Sequence, residues 1–144
     1  MDNPIIIKET DVNVPASRVW QAITAKEEIK QWSFDIKEFE PIPEYEFQFW
    51  GGDEKKQWLH LCKVIEAIPH EKLSFTWRYA DTPGNTLVTY EIFEEDGKTR
   101  IRLTHQGLET FPDIPELAYN NFVEGWNHII GTLLKEYLET NKKK

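Results

Sequence analysis

The stretch Ile114–Leu138, IPELAYNNFVEGWNHIIGTLLKEYL, carries an apolar stripe at helical period. At about 100° per residue, Ala118, Tyr119, Phe122, Val123, Trp126, Ile129, Ile130, Leu133, Leu134 and Tyr137 fall on one face. Asn120, Asn121, Glu124, Asn127, His128, Gly131, Thr132 and Lys135 fall on the other. Asp113 is placed to cap the start, Glu116 to answer it in a capping box, and Pro115 to sit in the first turn. The spacing predicts one continuous helix, roughly 37 Å long, with Trp126 buried and Asn127 and Lys135 exposed. No other segment reads as a long helix, so the partner of its apolar face is expected to be a sheet.

Outward from that helix, the chain alternates. Residues Pro4 to Val14 read as a strand, ended by Pro15. Ala16, Val19, Trp20 and Ile23 then repeat at helical spacing, and Thr24 to Glu27 forms a second capping box before a short helix with Ile29 and Trp32. Ser33 to Phe39 alternates through Phe34, Ile36 and Phe39 and is read as a strand. Pro41 and Pro43 break it. Tyr45, Phe47 and Phe49 alternate with Glu44, Glu46 and Gln48, and Gly51-Gly52-Asp53 reads as a turn. Trp58 to Glu66 puts Trp58, His60, Cys62 and Val64 on one face; Leu73 to Tyr79 does the same with Leu73, Phe75, Trp77 and Tyr79. Thr86 to Glu94 and Thr99 to His105 flank Asp96-Gly97, a two-residue hairpin signal. The expected order is one strand, two short helices, six antiparallel strands and one long helix. That is α+β, a curved antiparallel sheet wrapped around the C-terminal helix, in a single domain over residues 1–144.

Composition narrows the function. The chain has 144 residues, 40% hydrophobic and 29% charged, with a net charge of −8. No basic stripe is present, which argues against nucleic acid. No apolar run is long enough to span a bilayer, and Lys142–Lys144 reads as a solvated end. Cys62 is the only cysteine, so no internal disulfide can form, and a reducing cytoplasm is the expected location. Six Trp and 13% aromatic residues fit either a bulky core or an aromatic-lined cavity.

Ordered motifs along the chain add a resemblance. Val14-Pro15-Ala16-Ser17-Arg18-Val19-Trp20-Gln21-Ala22-Ile23-Thr24 with Trp32 resembles the opening of the START-like, or SRPBCC, superfamily. Val64-Ile65-Glu66, Pro69, Leu73-Ser74-Phe75-Thr76-Trp77, Thr104-His105-Gln106-Gly107 and Gly125-Trp126 are similar to the branch of activators of the ninety-kilodalton heat-shock chaperone's ATPase. The resemblance covers essentially the whole chain. It implies a helix-grip fold with a cavity between sheet and helix, used in that superfamily for lipids, sterols, polyketides or plant hormones and in some members for catalysis. Glu40-Pro41-Ile42-Pro43-Glu44 replaces a glycine-rich segment of this branch, so the cavity mouth is expected to differ. The separate chaperone-binding domain of the larger activators has no counterpart in these residues.

Three functional readings follow. The first is binding of a small apolar or amphipathic ligand by Trp32, Phe47, Phe49, Trp58, His60, Phe75, Trp77, Tyr90, His105, Phe122, Trp126 and Ile129. The second is a protein-interaction module, a chaperone cofactor or regulator, with the interior serving only as core. The third is a hydrolase or cyclase with His60 or His105 as acid–base. Both histidines are expected to point inward by strand parity, as ligand-orienting groups or, more plainly, as satisfied core residues. His128 falls on the polar helix face and His70 in a turn. There is no metal-ligand spacing, phosphate loop, dinucleotide fingerprint or Gly-X-Ser-X-Gly, and no cofactor is expected. Cys62 reads as a small buried apolar residue. The acids at Glu27-Glu28, Glu38–Glu46 and Glu91–Asp96 read as outer faces, as do Arg78, Arg100 and Arg102. Gly125, beside Trp126, is read either as a close approach to a strand or as room for a ligand.

Overall fold

A computed structural model describes residues 5–33, 36–52 and 56–140. Pro4, Phe34, Asp53 and Lys142–Lys144, each part of a reading above, lie outside the described residues. Six strands form one antiparallel sheet: β1 (Ile6–Val12), β2 (Glu46–Gly52), β3 (Gln57–Ile68), β4 (Lys72–Tyr79), β5 (Thr86–Glu95) and β6 (Lys98–Gln106), in the order β1-β6-β5-β4-β3-β2. Two short helices, α1 (Ala16–Thr24) and α2 (Lys26–Trp32), follow β1. The strands bury alternate residues, as their period-2 patterns require: Phe47 and Phe49, His60, Cys62 and Val64, Phe75, Trp77 and Tyr79, Ile101, Leu103 and His105. The β5–β6 hairpin closes at Asp96-Gly97, with Glu95 opposite Lys98. Both turn residues have positive φ, 55° and 78°, the conformation that matches strand twist and that Asp-Gly adopts readily.

Three local readings are corrected. Residues 36–40 are irregular, so five strands rather than six follow the short helices; Ile36 and Phe39 are nonetheless buried, and it was this alternation that resembled a strand. Gly51 and Gly52 extend β2 instead of turning. Thr24 does not cap α2: its Oγ1 donates back to the Trp20 carbonyl at 2.5 Å, and Ala25 holds the cap position. The hydroxyl thus closes the helix behind it.

The C-terminal helix begins at Tyr119, not at Ile114. Pro115–Leu117 is a separate 3-10 turn, and Ala118 is extended at φ −70° and ψ 147°. Asp113 therefore caps nothing; Asn121 Nδ2 donates to the Pro115 carbonyl at 2.6 Å and joins the turn to the helix. From Tyr119 the helix is continuous: α3 (Tyr119–His128), a π-helical stretch Ile129–Leu134, and α4 (Lys135–Thr140). Its buried residues are Trp126, Ile130, Leu134 and Leu138, spaced four apart. In an α-helix that spacing drifts about 40° per step. The wider i→i+5 turns of the π stretch unwind most of the drift and keep all four on the sheet. This is why Leu138 is buried although a uniform helical period leaves it off the stripe; Ala118 and Tyr119 are exposed because Ala118 is still extended and the helix starts only at Tyr119. Asn127 is exposed as expected, whereas Lys135 is half-buried and its Nζ donates to the Asp11 carbonyl of β1.

A Cβ at Gly125 would meet nothing within 4 Å. Gly125 therefore does not closely approach a strand, and it is not among the residues that line the interior void. Gly125→Ala should raise stability by roughly 0.5–1 kcal/mol through helix propensity alone, read as an increase in urea midpoint with unchanged slope.

The candidate site between sheet and helix

The interior is built from one residue of each strand pleat and one helix. Aromatic rings from β2 and β4 meet edge to face across β3, Phe47 with Phe75 at 5.5 Å and Phe49 with Trp77 at 5.8 Å, and Trp77 meets Trp126 of the helix in a tilted contact at 5.5 Å. Trp32 arrives from the end of α2, fixed by its Nε1–H, which donates to the Ala22 carbonyl at 3.0 Å. A void of about 40 Å³ remains among them. Of the predicted residues, Trp32, Phe47, Phe49, Phe75, Trp77, Tyr90 and Trp126 line it. Sequence reasoning missed Ile23, Ile29, Ile36, Phe39, Leu73 and Ser33, which complete the wall. Ile36 and Phe39 were legible as apolar but not as part of this wall, because they belong to an irregular segment whose course no periodicity encodes. Every lining residue is buried except Ser33, which is half-buried and marks the side facing solvent.

Trp58, His60, His105, Phe122 and Ile129 lie outside that wall. Trp58 is half-buried under Lys56, whose Nζ sits 4.0 Å from its ring centre. His60 stacks on Phe49 at 4.4 Å, one ring behind the void. Phe122 stands edge-on to His105 at 5.4 Å and stacks with Phe111 at 5.9 Å. Ile129 is half-buried on the helix flank.

Both histidines point inward. His105 has no solvent exposure and sits in a hydrogen-bonded chain that fixes its tautomer. Trp126 Nε1–H donates to Nδ1 at 3.0 Å, so Nδ1 carries no proton. Thr86 gives its hydroxyl proton to the Trp77 carbonyl at 2.6 Å, so its oxygen accepts from the His105 Nε2–H at 2.8 Å. Burial pushes the His105 pKa down to about 3. His60 bonds through Nδ1 to the Trp58 carbonyl at 3.0 Å; burial pushes it down to about 4, against smaller opposing effects of backbone bonds at Trp58 and Phe49. Both rings are neutral at pH 7. His105 has both nitrogens engaged by neutral groups, the arrangement of a satisfied core residue. Cys62 is buried, and burial raises its thiol pKa further, which disfavours the thiolate.

A second buried cluster escaped the sequence reading. Glu28 is buried rather than on an outer face, and its Oε1 lies 2.7 Å from Arg18 Nη1. Tyr137 donates its hydroxyl to the same oxygen at 2.8 Å, and the Arg18 guanidinium lies 5.6 Å from the Tyr137 ring centre. The cluster joins α1, α2 and α4 and holds α2 over the void. Nothing in a helical stripe marks Arg18 as buried; only the packing of three helices places it. Tyr137→Phe removes a hydrogen bond to a charged group and should cost roughly 1–2 kcal/mol by chemical denaturation.

A curved antiparallel sheet gripping a C-terminal helix around an aromatic interior defines the helix-grip class of α+β proteins. Over residues 13–139 the chain matches the family described as Activator of Hsp90 ATPase homolog 1-like protein, and it belongs to that family. Similar solved structures share the fold. Protein MLL2253 from Mesorhizobium loti is 22% identical with a TM-score of 0.79, covering 96% of this chain and 98% of its own. A protein from Arthrobacter aurescens is 13% identical with a TM-score of 0.80, covering 94% and 86%. DynU16, from the dynemicin biosynthetic locus, is 20% identical with a TM-score of 0.80, covering 98% of this chain and 49% of its own. No curated protein matches the chain. Among the described residues no helix is long and apolar enough to cross a membrane.

Proposed function

We propose that the chain is one domain that binds a small apolar or amphipathic molecule between its sheet and C-terminal helix, in a reducing cytoplasm. The observation that carries this reading is the void itself. It lies where α1, α2, the 36–39 segment, three strands and Trp126 converge, and its walls are aromatic and aliphatic. At about 40 Å³ it holds one water-sized group, whereas common ligand sites measure about 300–1,000 Å³. Binding therefore requires side chains to move. Trp32 is tied to Ala22, so Phe39, on the irregular segment, is the ring that yields, and the ligand's apolar end takes its place beside Ser33.

The test is titration of an apolar fluorescent probe, with native mass spectrometry of the purified protein for retained small molecules. Phe39→Ala should tighten binding by roughly tenfold by removing the ring that must be displaced, and Ser33→Trp should weaken it by a similar factor. Equal affinity across wild type and both variants would put the probe elsewhere; absence of binding to all three would end the ligand reading. A second reading, an interaction module serving as cofactor or regulator of a chaperone, is favoured by the family's description and by Trp50, which is 61% exposed on the outer sheet face.

A further inference from the structure

The outer face of the sheet has two unlike halves. Across β1 and β6 its arginines are answered by carboxylates: Arg100 Nε is 3.1 Å from Asp11 Oδ1, and Arg102 Nε is 2.6 Å from Glu9 Oε2. That half is a charged ladder facing water, with the exposed Ile7 and Phe93 beside it. Across β2, β3 and β4 the same face is a groove of about 1130 Å³. Its floor is Leu59 and Leu61, both half-buried, beside the exposed Trp50. Ile65, on the same pleat face as Leu59 and Leu61 and at the register shift between Val64 and Glu66, is 45% exposed. Arg78 stands opposite Leu61 on β4, and Lys37 lies at the rim. Among the described residues no carboxylate lies within ion-pair distance of either; of the groove's acids, Glu38 is 2.9 Å from Lys26, whereas Glu46 lies opposite Lys63, whose Nζ is 3.6 Å from Glu44 instead. Among the described residues a chain of net charge −8 thus presents a groove with an apolar floor, two cations that no carboxylate answers, Arg78 and Lys37, and one carboxylate, Glu46, that no cation answers.

We infer that this groove docks an acidic amphipathic helix of a partner protein, its apolar stripe on Leu59, Leu61 and Trp50 and its carboxylates on Arg78 and Lys37. A strand added beside β2, the edge strand next to this groove, would leave Leu59, Leu61 and Arg78 uncovered. A helix about 10 Å across covers them. The floor from Leu59 to Ile65 spans seven residues, about 20 Å, the length of a helix of about 13 residues. Open sheet faces are commonly buried under helices. An Arg guanidinium takes a carboxylate through two parallel hydrogen bonds, which sets the helix register. A second copy of this chain is a poor occupant, because two molecules of net charge −8 repel. The inference is independent of the interior ligand reading.

The test uses the full chain and a panel of labelled helical peptides of about 14 residues, with a leucine stripe flanked by Glu, and their Lys-flanked counterparts. Overall charge favours the Lys peptides, so the groove must reverse that preference. The expected result is saturable binding of at least one Glu peptide, about tenfold tighter than its Lys counterpart, with Trp50 fluorescence changing. Trp50→Ala and Arg78→Glu should each weaken it about tenfold, while Arg100→Glu on the paired half leaves it unchanged. Circular dichroism confirms that each variant is folded; Arg78→Gln replaces Arg78→Glu if it is not. Preference for the Lys peptides, equal loss in Arg78→Glu and Arg100→Glu, or no saturable binding across the panel overturns the proposal. So does sedimentation showing a dimer that Trp50→Ala dissociates, since the groove then belongs to a second copy.

Discussion

Trp126→Ala is expected to lower the free energy of unfolding by roughly 3–5 kcal/mol, the range for truncating a fully packed aromatic residue. Trp126 is 4% exposed and touches both sides of the interior: its ring lies 5.5 Å from Trp77 and 5.8 Å from His105. The truncation also deletes the N–H that His105 Nδ1 accepts, leaving a buried acceptor without its donor. Because Trp126 also walls the void, the enlarged space should bind the apolar probe more tightly even as the fold weakens. Trp126→Phe separates the contributions: it restores most of the packing without the N–H, so its cost should be well below that of alanine. Equilibrium urea unfolding of the three proteins decides. A loss below about 1 kcal/mol for alanine would mean that the helix is not seated on this residue.

Acidification from pH 7 to pH 5 should remove about 4 kcal/mol of stability, about 2 from each of His60 and His105. Both folded pKa values are depressed below 6.5, to about 4 and about 3, chiefly by burial. The neutral rings belong to the folded state. Their contribution is full above pH 6.5 and is lost as pH falls through the window toward the folded values, because there the unfolded chain binds the protons that the fold refuses. Unfolding at pH 5 should therefore take up about two protons, and most carboxylates are still ionised at that pH. Urea midpoints at half-unit intervals from pH 7.5 to 5 give the slope, and His105→Gln should halve it. A flat profile would place both rings in a more polar setting than a buried one.

Much of the fold could be read from one dimension. Alternation in Phe47 and Phe49, in His60, Cys62 and Val64, and in Phe75, Trp77 and Tyr79 correctly assigned the inward face of each strand, because a pleated strand turns every second side chain the same way. Asp96-Gly97 marked its hairpin because few residue pairs tolerate two successive positive φ angles. The inward direction of both histidines followed from the same parity. The start of the C-terminal helix did not: Asp113, Pro115 and Glu116 satisfy every local signal for a helix start, yet the chain makes a single 3-10 turn there and restarts at Tyr119. Capping patterns compete on about 1 kcal/mol, and packing of the turn overrules them.

What the amino-acid order determined by itself is therefore the set of elements, their inward faces and the aromatic character of the space between them, since these follow from periodicities of two and of about 3.6 residues. What only the tertiary structure decided is everything that depends on where separate elements meet. The π stretch keeps Trp126, Ile130, Leu134 and Leu138 on one side only because a sheet lies there to be faced. Glu28 and Arg18 became a buried pair because α4 brought Tyr137 over them. The seven predicted aromatics enclose about 40 Å³ rather than a ready-made ligand chamber because the rings interlock edge to face. Periodicity states which way a side chain points; how much space remains is set by the distance between elements, which no single element encodes.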